Sequence, residues 1–249
     1  MSLPQLNAPK RYKPVSVSPP EQIPGLLKAG YSPATIYTSI AERLGESTPI
    51  RDDWRGIWIR AGTFAFRHPN GSPVIGDAPK EFLELIKPDA TLNSAGGLVL
   101  PDGMYEAART DSKNLVLAAE ETARYTGKDI PKGSDVGPLW KWAAKEGEPE
   151  YTAAVQAHKN QGFLGGWYLA DAPEDAPAGW LLDLKYFVSR SRVVGDNHLG
   201  IDYGLLVGDS AGGAVAKKVD ATRLSDDDIG RLVDKLAPAL AEKLKKQEE

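Results

Sequence analysis

Between residues 54 and 68 the chain reads WRGIWIRAGTFAFRH, and this segment narrows the fold more than any other. In an extended backbone successive side chains point to opposite faces. Trp54, Gly56, Trp58, Arg60, Gly62, Phe64, Phe66 and His68 would then share one face, and Ile57, Ile59, Ala61, Thr63 and Ala65 the other. Pro69-Asn70-Gly71 follows as a turn signal. A strand of this length, with one face fit for a core, commits the domain to a β-sheet.

Three later runs, 163–169, 180–194 and 199–207, are rich in apolar, aromatic and β-branched residues. Turn formers separate them, with Gly195-Asp196-Asn197 between the last two, so they are expected as neighbouring antiparallel strands. Helices are expected in between. Ser32 and Pro33 open one that carries Ile36, Tyr37, Ile40 and Leu44 and closes at Gly45. Another spans 79–86 and stops before Pro88, and Ser112 caps one that runs through Leu115, Ala119, Thr122 and Tyr125 to Gly127. Pro138 and Pro149 open two more, at 138–145 and 149–161, and a short strand is expected at 98–100. The pattern is that of an α+β fold, a largely antiparallel sheet covered by helices.

The two ends differ from this middle. Residues 1–24 hold Pro4, Pro9, Pro14, Pro19, Pro20 and Pro24 together with Lys10, Arg11 and Lys13, a composition that favours an extended arm. Arg11 and Tyr12 are its candidate partner contacts. Near the other end Ser225 and Asp228 form a capping box ahead of Ile229, Leu232, Val233, Leu236, Leu240 and Leu244, which lie on one face of a helix kinked at Pro238. Leu232, Leu236 and Leu240 are the partner contacts expected there. The expected organisation is therefore an arm over 1–24, an α+β main domain over 25–220 and an amphipathic helix over 221–249.

Composition removes several kinds of chemistry. With Cys 0, disulfides, thiolate catalysis and cysteine zinc sites are excluded, and the three histidines are too widely spaced for a ligand cluster, so no metal is expected. The sequence contains no phosphate loop and no dinucleotide fingerprint, and no cofactor is expected. A formal net charge of -4 gives no global field toward nucleic acid or acidic lipid. No apolar run approaches membrane-spanning length and the N-terminus lacks a signal-peptide core. The expected location is the cytoplasm, or a virion for a phage component.

Gly208-Asp209-Ser210-Ala211-Gly212-Gly213 matches the Gly-x-Ser-x-Gly pattern and resembles the serine motif of hormone-sensitive-lipase-like α/β-hydrolases. It also echoes the serine motif of chymotrypsin-like proteases. The resemblance implies Ser210 as nucleophile. The hydrolase family places its histidine after the serine, whereas His68, His158 and His198 all precede Ser210. Phe66-Arg67-His68-Pro69 does not match the protease histidine motif either. A hydroxyl without a base is a poor nucleophile, so the sequence reads as a non-enzyme.

Two functions remain. The leading one is a structural or assembly subunit of a larger complex, a phage or other virion component among the settings that suit it, joined to protein partners or to itself through arm and terminal helix. The alternative is a single-stranded nucleic-acid binder. There Trp54, Trp58, Phe64 and Phe66 would stack bases while Arg60 and Arg67 grip phosphates, with Lys185, Arg190 and Arg192 extending the basic patch.

Overall fold

The computed structural model describes residues 12–15, 19–45, 54–157, 163–185, 187, 191–195 and 205–209. Contacts divide the chain into a unit Met1–Gly213 and a unit Ala214–Glu249, and all described residues belong to the first. The terminal helix expected over 221–249, with Leu232, Leu236 and Leu240, lies outside the described residues, as do Arg11, Arg190 and Ser210.

In chain order the elements are β1 (Tyr12–Val15), α1 (Pro19–Lys28), β2 (Ser32–Pro33), α2 (Ile36–Leu44), β3 (Ile59–Arg67), β4 (Val74–Asp77), α3 (Lys80–Leu85), β5 (Leu98–Val99), α4 (Met104–Thr110) and β6 (Leu115–Val116). There follow α5 (Ala119–Tyr125), β7 (Asp129–Pro131), α6 (Gly137–Ala144), a 3-10 turn (Lys145–Gly147), α7 (Glu148–Ala157), β8 (Phe163–Gly165), β9 (Tyr168–Leu169), β10 (Ala178–Leu184), β11 (Val193–Gly195) and β12 (Leu205–Asp209).

The main sheet runs β1-β12-β3-β10-β11-β9, with β2 added to β12, β5 to β10, and β4 and then β6 to β3. Most pairs are antiparallel, while β12–β3 and β11–β9 are parallel. The α+β expectation therefore holds, with a sheet that is mixed at two places. β12 does not neighbour β11 as the turn signal at 195–197 suggests, because β3 and β10 stand between them. β8 leaves this sheet and pairs with β7 in a two-stranded one.

β3 organises the sheet. β10 lines one edge from Ala178↔Arg67 to Leu184↔Ile59, with an irregularity between Leu181 and Asp183. The other edge is shared, since β12 pairs with Ile59 and Arg60 while β4 pairs with Thr63 through Phe66. Gly62 sits at the split. Its N–H donates to the Ala34 carbonyl at 2.8 Å and its own carbonyl accepts from Ala78 at 2.8 Å. A Cβ at 62 would collide with the Pro33 carbonyl, so the crossing of β2 over β3 requires glycine.

Helices cover both faces of the sheet. On one, Ala61, Ala65 and Leu182 belong to a core shared with Ile36 and Ile40 of α2, Leu139 and Trp140 of α6, and Tyr151 of α7. On the other, Phe64, Phe66 and Leu181 pack with Ile23 and Leu26 of α1 and Phe82 of α3. The alternation along β3 is thus as the sequence predicts, but neither face is open.

The N-terminal segment departs from the expected arm. Tyr12–Val15 pairs with β12, Tyr12 opposite Asp209 and Val15 opposite Leu206, and Pro19–Lys28 is helical with Ile23 and Leu26 buried. A boundary at 24 would cut through α1. Pro19 and Pro20 occupy the first turn, where the missing N–H has no intrahelical partner to lose, so proline content there does not prevent a helix. The cap of α2 is Thr35, which accepts from the Thr38 N–H at 3.1 Å, and Ser32–Pro33 is strand. The helix expected from Ser112 is divided, because Leu115 and Val116 extend to pair with Val74 and Ile75 of β4. Among the described residues no helix is long and apolar enough to cross a membrane.

Candidate ligand-binding cavity

The aromatic and basic face expected on the Trp54 strand is not a platform. Residues 54–56 form a helical turn, and Trp54 is buried beside Ala34, Ile59 and Val207. Phe64 and Phe66 are 1% and 0% exposed, their rings stacked at 3.9 Å with Phe82 edge-on to Phe66 at 4.9 Å. Both rings pack against Ile23 and Leu26 of α1 and Phe82 of α3. Arg60 is fully buried, its Nε and Nη2 donating to the two carboxylate oxygens of Asp183 at 2.8 and 3.1 Å. Trp58 and Arg67 remain at the rim, half-buried. Lys185 Nζ lies 2.7 Å from the Trp58 ring centroid, and burial lowers the Arg67 pKa, against the pull of Asp171 and Tyr105.

Of the serine motif, Gly208 and Asp209 are described, and both are strand. A Cβ on Gly208 would stand 2.8 Å from Leu26 Cδ2 and 3.0 Å from Tyr31 Cβ. The first glycine of the motif therefore answers to the packing of α1 on β12. Asp209 is buried opposite Tyr12 and Ser32. His68 Nδ1 accepts from the Asn70 N–H at 3.2 Å and its ring lies 5.0 Å from that of Tyr105. His158 and His198 lie outside the described residues.

A cavity of about 500 Å³ opens where β3 and β4 meet the segment 101–114. Phe64 and Phe66 close its floor, Asp77, Pro79 and Glu81 form one side, and Pro101, Asp102, Met104, Ala107 and Ala108 the other. Asp111 and Asn114 complete the lining. Local chemistry builds each wall. Gly103 takes the left-handed conformation (φ 78°) that starts α4, a conformation glycine reaches without strain. Tyr105 then fixes α4 to the β3–β4 connection, its hydroxyl donating to the Ser72 carbonyl at 2.7 Å. Gly76 lets Phe64 and Asn114 close over β4, since a Cβ there would strike the Asn114 Oδ1 and lie 2.5 Å from the Phe64 ring.

The polar groups of the lining face the cavity with one kind of chemistry. Asp77, Glu81, Asp102 and Asp111 are carboxylates, and Asn114 donates one of its two amide N–H groups to the Ala108 carbonyl at 2.9 Å while its Oδ1 is an acceptor. One Asp111 oxygen accepts from the Lys113 N–H at 2.9 Å. Loss of solvation by burial pushes the Asp77 pKa up, while Lys145 and the Thr63 hydroxyl pull it back. Thr63, itself buried, also accepts from the Ile36 N–H at 3.0 Å, tying Asp77 to the start of α2. Lys145 adopts a positive φ of 51°, and its Nζ lies 4.1 Å from the Tyr37 ring centroid. Among the described residues no three His, Cys, Asp or Glu side chains converge as metal ligands, so the acids surround the cavity without meeting at a point.

This cavity is not legible in the sequence. Its carboxylates come from a strand end, a helix start and two turns, and no periodicity links such positions. The local signal present in the sequence is Pro101-Asp102-Gly103, a turn that sets an acid beside a helix start.

No family model and no curated protein matches the chain. A solved structure described as "Accommodation of massive sequence variation in Nanoarchaeota by the C-type lectin fold" is similar, with a TM-score of 0.60 over 82% of this chain and 100% of that one, at 17% identity. The likeness shows the fold, an α+β arrangement of the C-type lectin kind.

Proposed function

We propose that this chain is a non-enzymatic binding protein, in which a C-type-lectin-like framework holds part of a ligand or partner in the cavity between β4 and α4. The observation that carries the reading is the make-up of the cavity: apolar surface on its walls, a floor on the central strand of the sheet, and side chains that accept hydrogen bonds. The nanoarchaeal structure is described as accommodating massive sequence variation, and a framework of that tolerance suits recognition more readily than a fixed catalytic geometry. Membership of a larger assembly, a phage particle among the settings, is the finer form of this proposal; it draws on the amphipathic sequence pattern of residues 221–249 and on the -4 net charge, which favours a protein partner over nucleic acid.

Saturation-transfer NMR with three probes of equal apolar stem, n-butylammonium, 1-butanol and butyrate, tests the binding role. Transfer to at least one probe, lost when Ala107→Trp fills the cavity, is the expected result. If none of the three receives saturation from the folded protein, the binding reading is wrong.

A further inference from the structure

We infer that the group held in this cavity is an organic cation, an ammonium or guanidinium carried on an apolar stem. The inference rests on the binding reading above and adds the charge and shape of the ligand. It follows from the lining as a whole. Among the lining side chains acceptors dominate: four are carboxylates, and Asn114 has one of its two amide N–H groups committed to Ala108, which leaves a single neutral donor. A ligand that satisfies such a site must bring the donors itself, and an anion or a carbonyl cannot.

The charge is not cancelled locally. Glu81, Asp102 and Asp111 form no ion pair with a described residue, while nearby Arg109 is held by Glu106 at 2.7 Å and Lys80 by Glu84 at 3.5 Å. Lys145, which acts on Asp77, offsets at most one of the four acids. The start of α4 has the opposite sign, but the positive end of a helix amounts to about half a charge at best, and Glu106 already sits in that first turn. The surplus is therefore negative by more than two charges.

The walls decide the rest of the ligand. Pro79, Pro101, Met104 and Ala107 offer apolar surface beside the acids, which suits a cation with several methylenes and is poorly matched to a hydrated metal ion. Lysine and arginine side chains have this form, and so do free alkylamines. A volume of about 500 Å³ admits either with part of the backbone that carries it.

Calorimetric titration of the full chain separates these possibilities. N-acetyl-lysine methylamide is expected to bind about tenfold more tightly than its norleucine counterpart, and to weaken severalfold as sodium chloride rises from about 20 mM to about 300 mM. Glu81→Gln and Asp102→Asn, both on the rim, should each weaken it by about threefold to fivefold, the scale of an exposed ion pair. n-Butylammonium distinguishes the source: tighter binding of the lysine amide points to a partner's side chain, and equal binding to a free amine. Norleucine methylamide binding as tightly as the lysine amide, both blocked by Ala107→Trp, would overturn the cation inference and leave the binding reading standing. Loss of all binding, to neutral and charged probes alike, would remove both.

Discussion

Asp183→Asn is expected to be among the most costly single substitutions in this chain. Asp183 and Arg60 are each 0% exposed and joined by two hydrogen bonds, at a point where β10 changes register against β3. Removing the carboxylate charge strips a buried guanidinium of its bidentate partner, and breaking such a pair from one side costs about 3–5 kcal/mol. With a urea slope of about 2.5 kcal/mol per M, a loss of about 4 kcal/mol moves the unfolding midpoint down by about 1.6 M. Arg60→Met should be similarly costly, while the double variant Arg60→Met/Asp183→Leu should recover much of the loss, because two apolar side chains need no pairing. A double-mutant cycle on urea denaturation, with Arg60→Met, Asp183→Leu and their combination, should give a coupling of more than about 4 kcal/mol, since the double variant is expected to cost less than either single one. A midpoint shift below about 0.4 M for Asp183→Asn, or strict additivity in the cycle, would refute the view that Arg60 is a core residue and reopen it as a surface contact.

Other expectations follow from single contacts. Gly208→Val should destabilise by about 2–3 kcal/mol through overpacking against Leu26 and Tyr31, seen as a lower thermal midpoint, whereas a change under about 0.5 kcal/mol would return the motif to a turn. Tyr105→Phe removes the hydroxyl that donates to Ser72 and should cost about 1 kcal/mol, with faster amide exchange over α4; unchanged exchange would mean that α4 is anchored otherwise. Asp77 has its folded pKa raised by burial, so it opposes folding above that pKa, and stability is regained as pH falls through it toward the unfolded value. Asp77→Asn should therefore stabilise at neutral pH, with the gap to the native chain closing on acidification; a gap that widens would contradict the assignment. Asp135 has the opposite sign. Lys141, then the Gly137 N–H, hold its pKa down, and its contribution should be lost as pH falls through that lowered value, which Asp135→Asn should abolish.

Which parts of this molecule were legible in its sequence follows from the range of the forces involved. The two-residue period along β3, the proline-opened helices α6 and α7 and the closing glycine at 45 are set by local geometry, and they stand close to where the pattern puts them. What covers a strand is a tertiary fact. Phe64 and Phe66 can be read as a stacking surface or as core, and it is α1 and α3 that decide. Pro19 and Pro20 look like an extended arm until the burial of Ile23 and Leu26 outweighs composition. Gly208 is ambiguous for a similar reason: a glycine that makes room for Leu26 spells the same letter as one that opens a catalytic turn. The cavity was the least legible feature, because Asp77 and Asp102 are separated by 25 residues and nothing local to either foretells the other.

The cavity between β4 and α4 is where this protein is proposed to meet its ligand. Amide correlation spectra of the isotopically labelled chain, recorded with increasing n-butylammonium, report on that place directly. Saturating shifts concentrated at Asp77, Gly103, Ala107 and Asn114 are the predicted result. Shifts that instead gather around Trp58 and Lys185, or that stay within noise throughout, would contradict it.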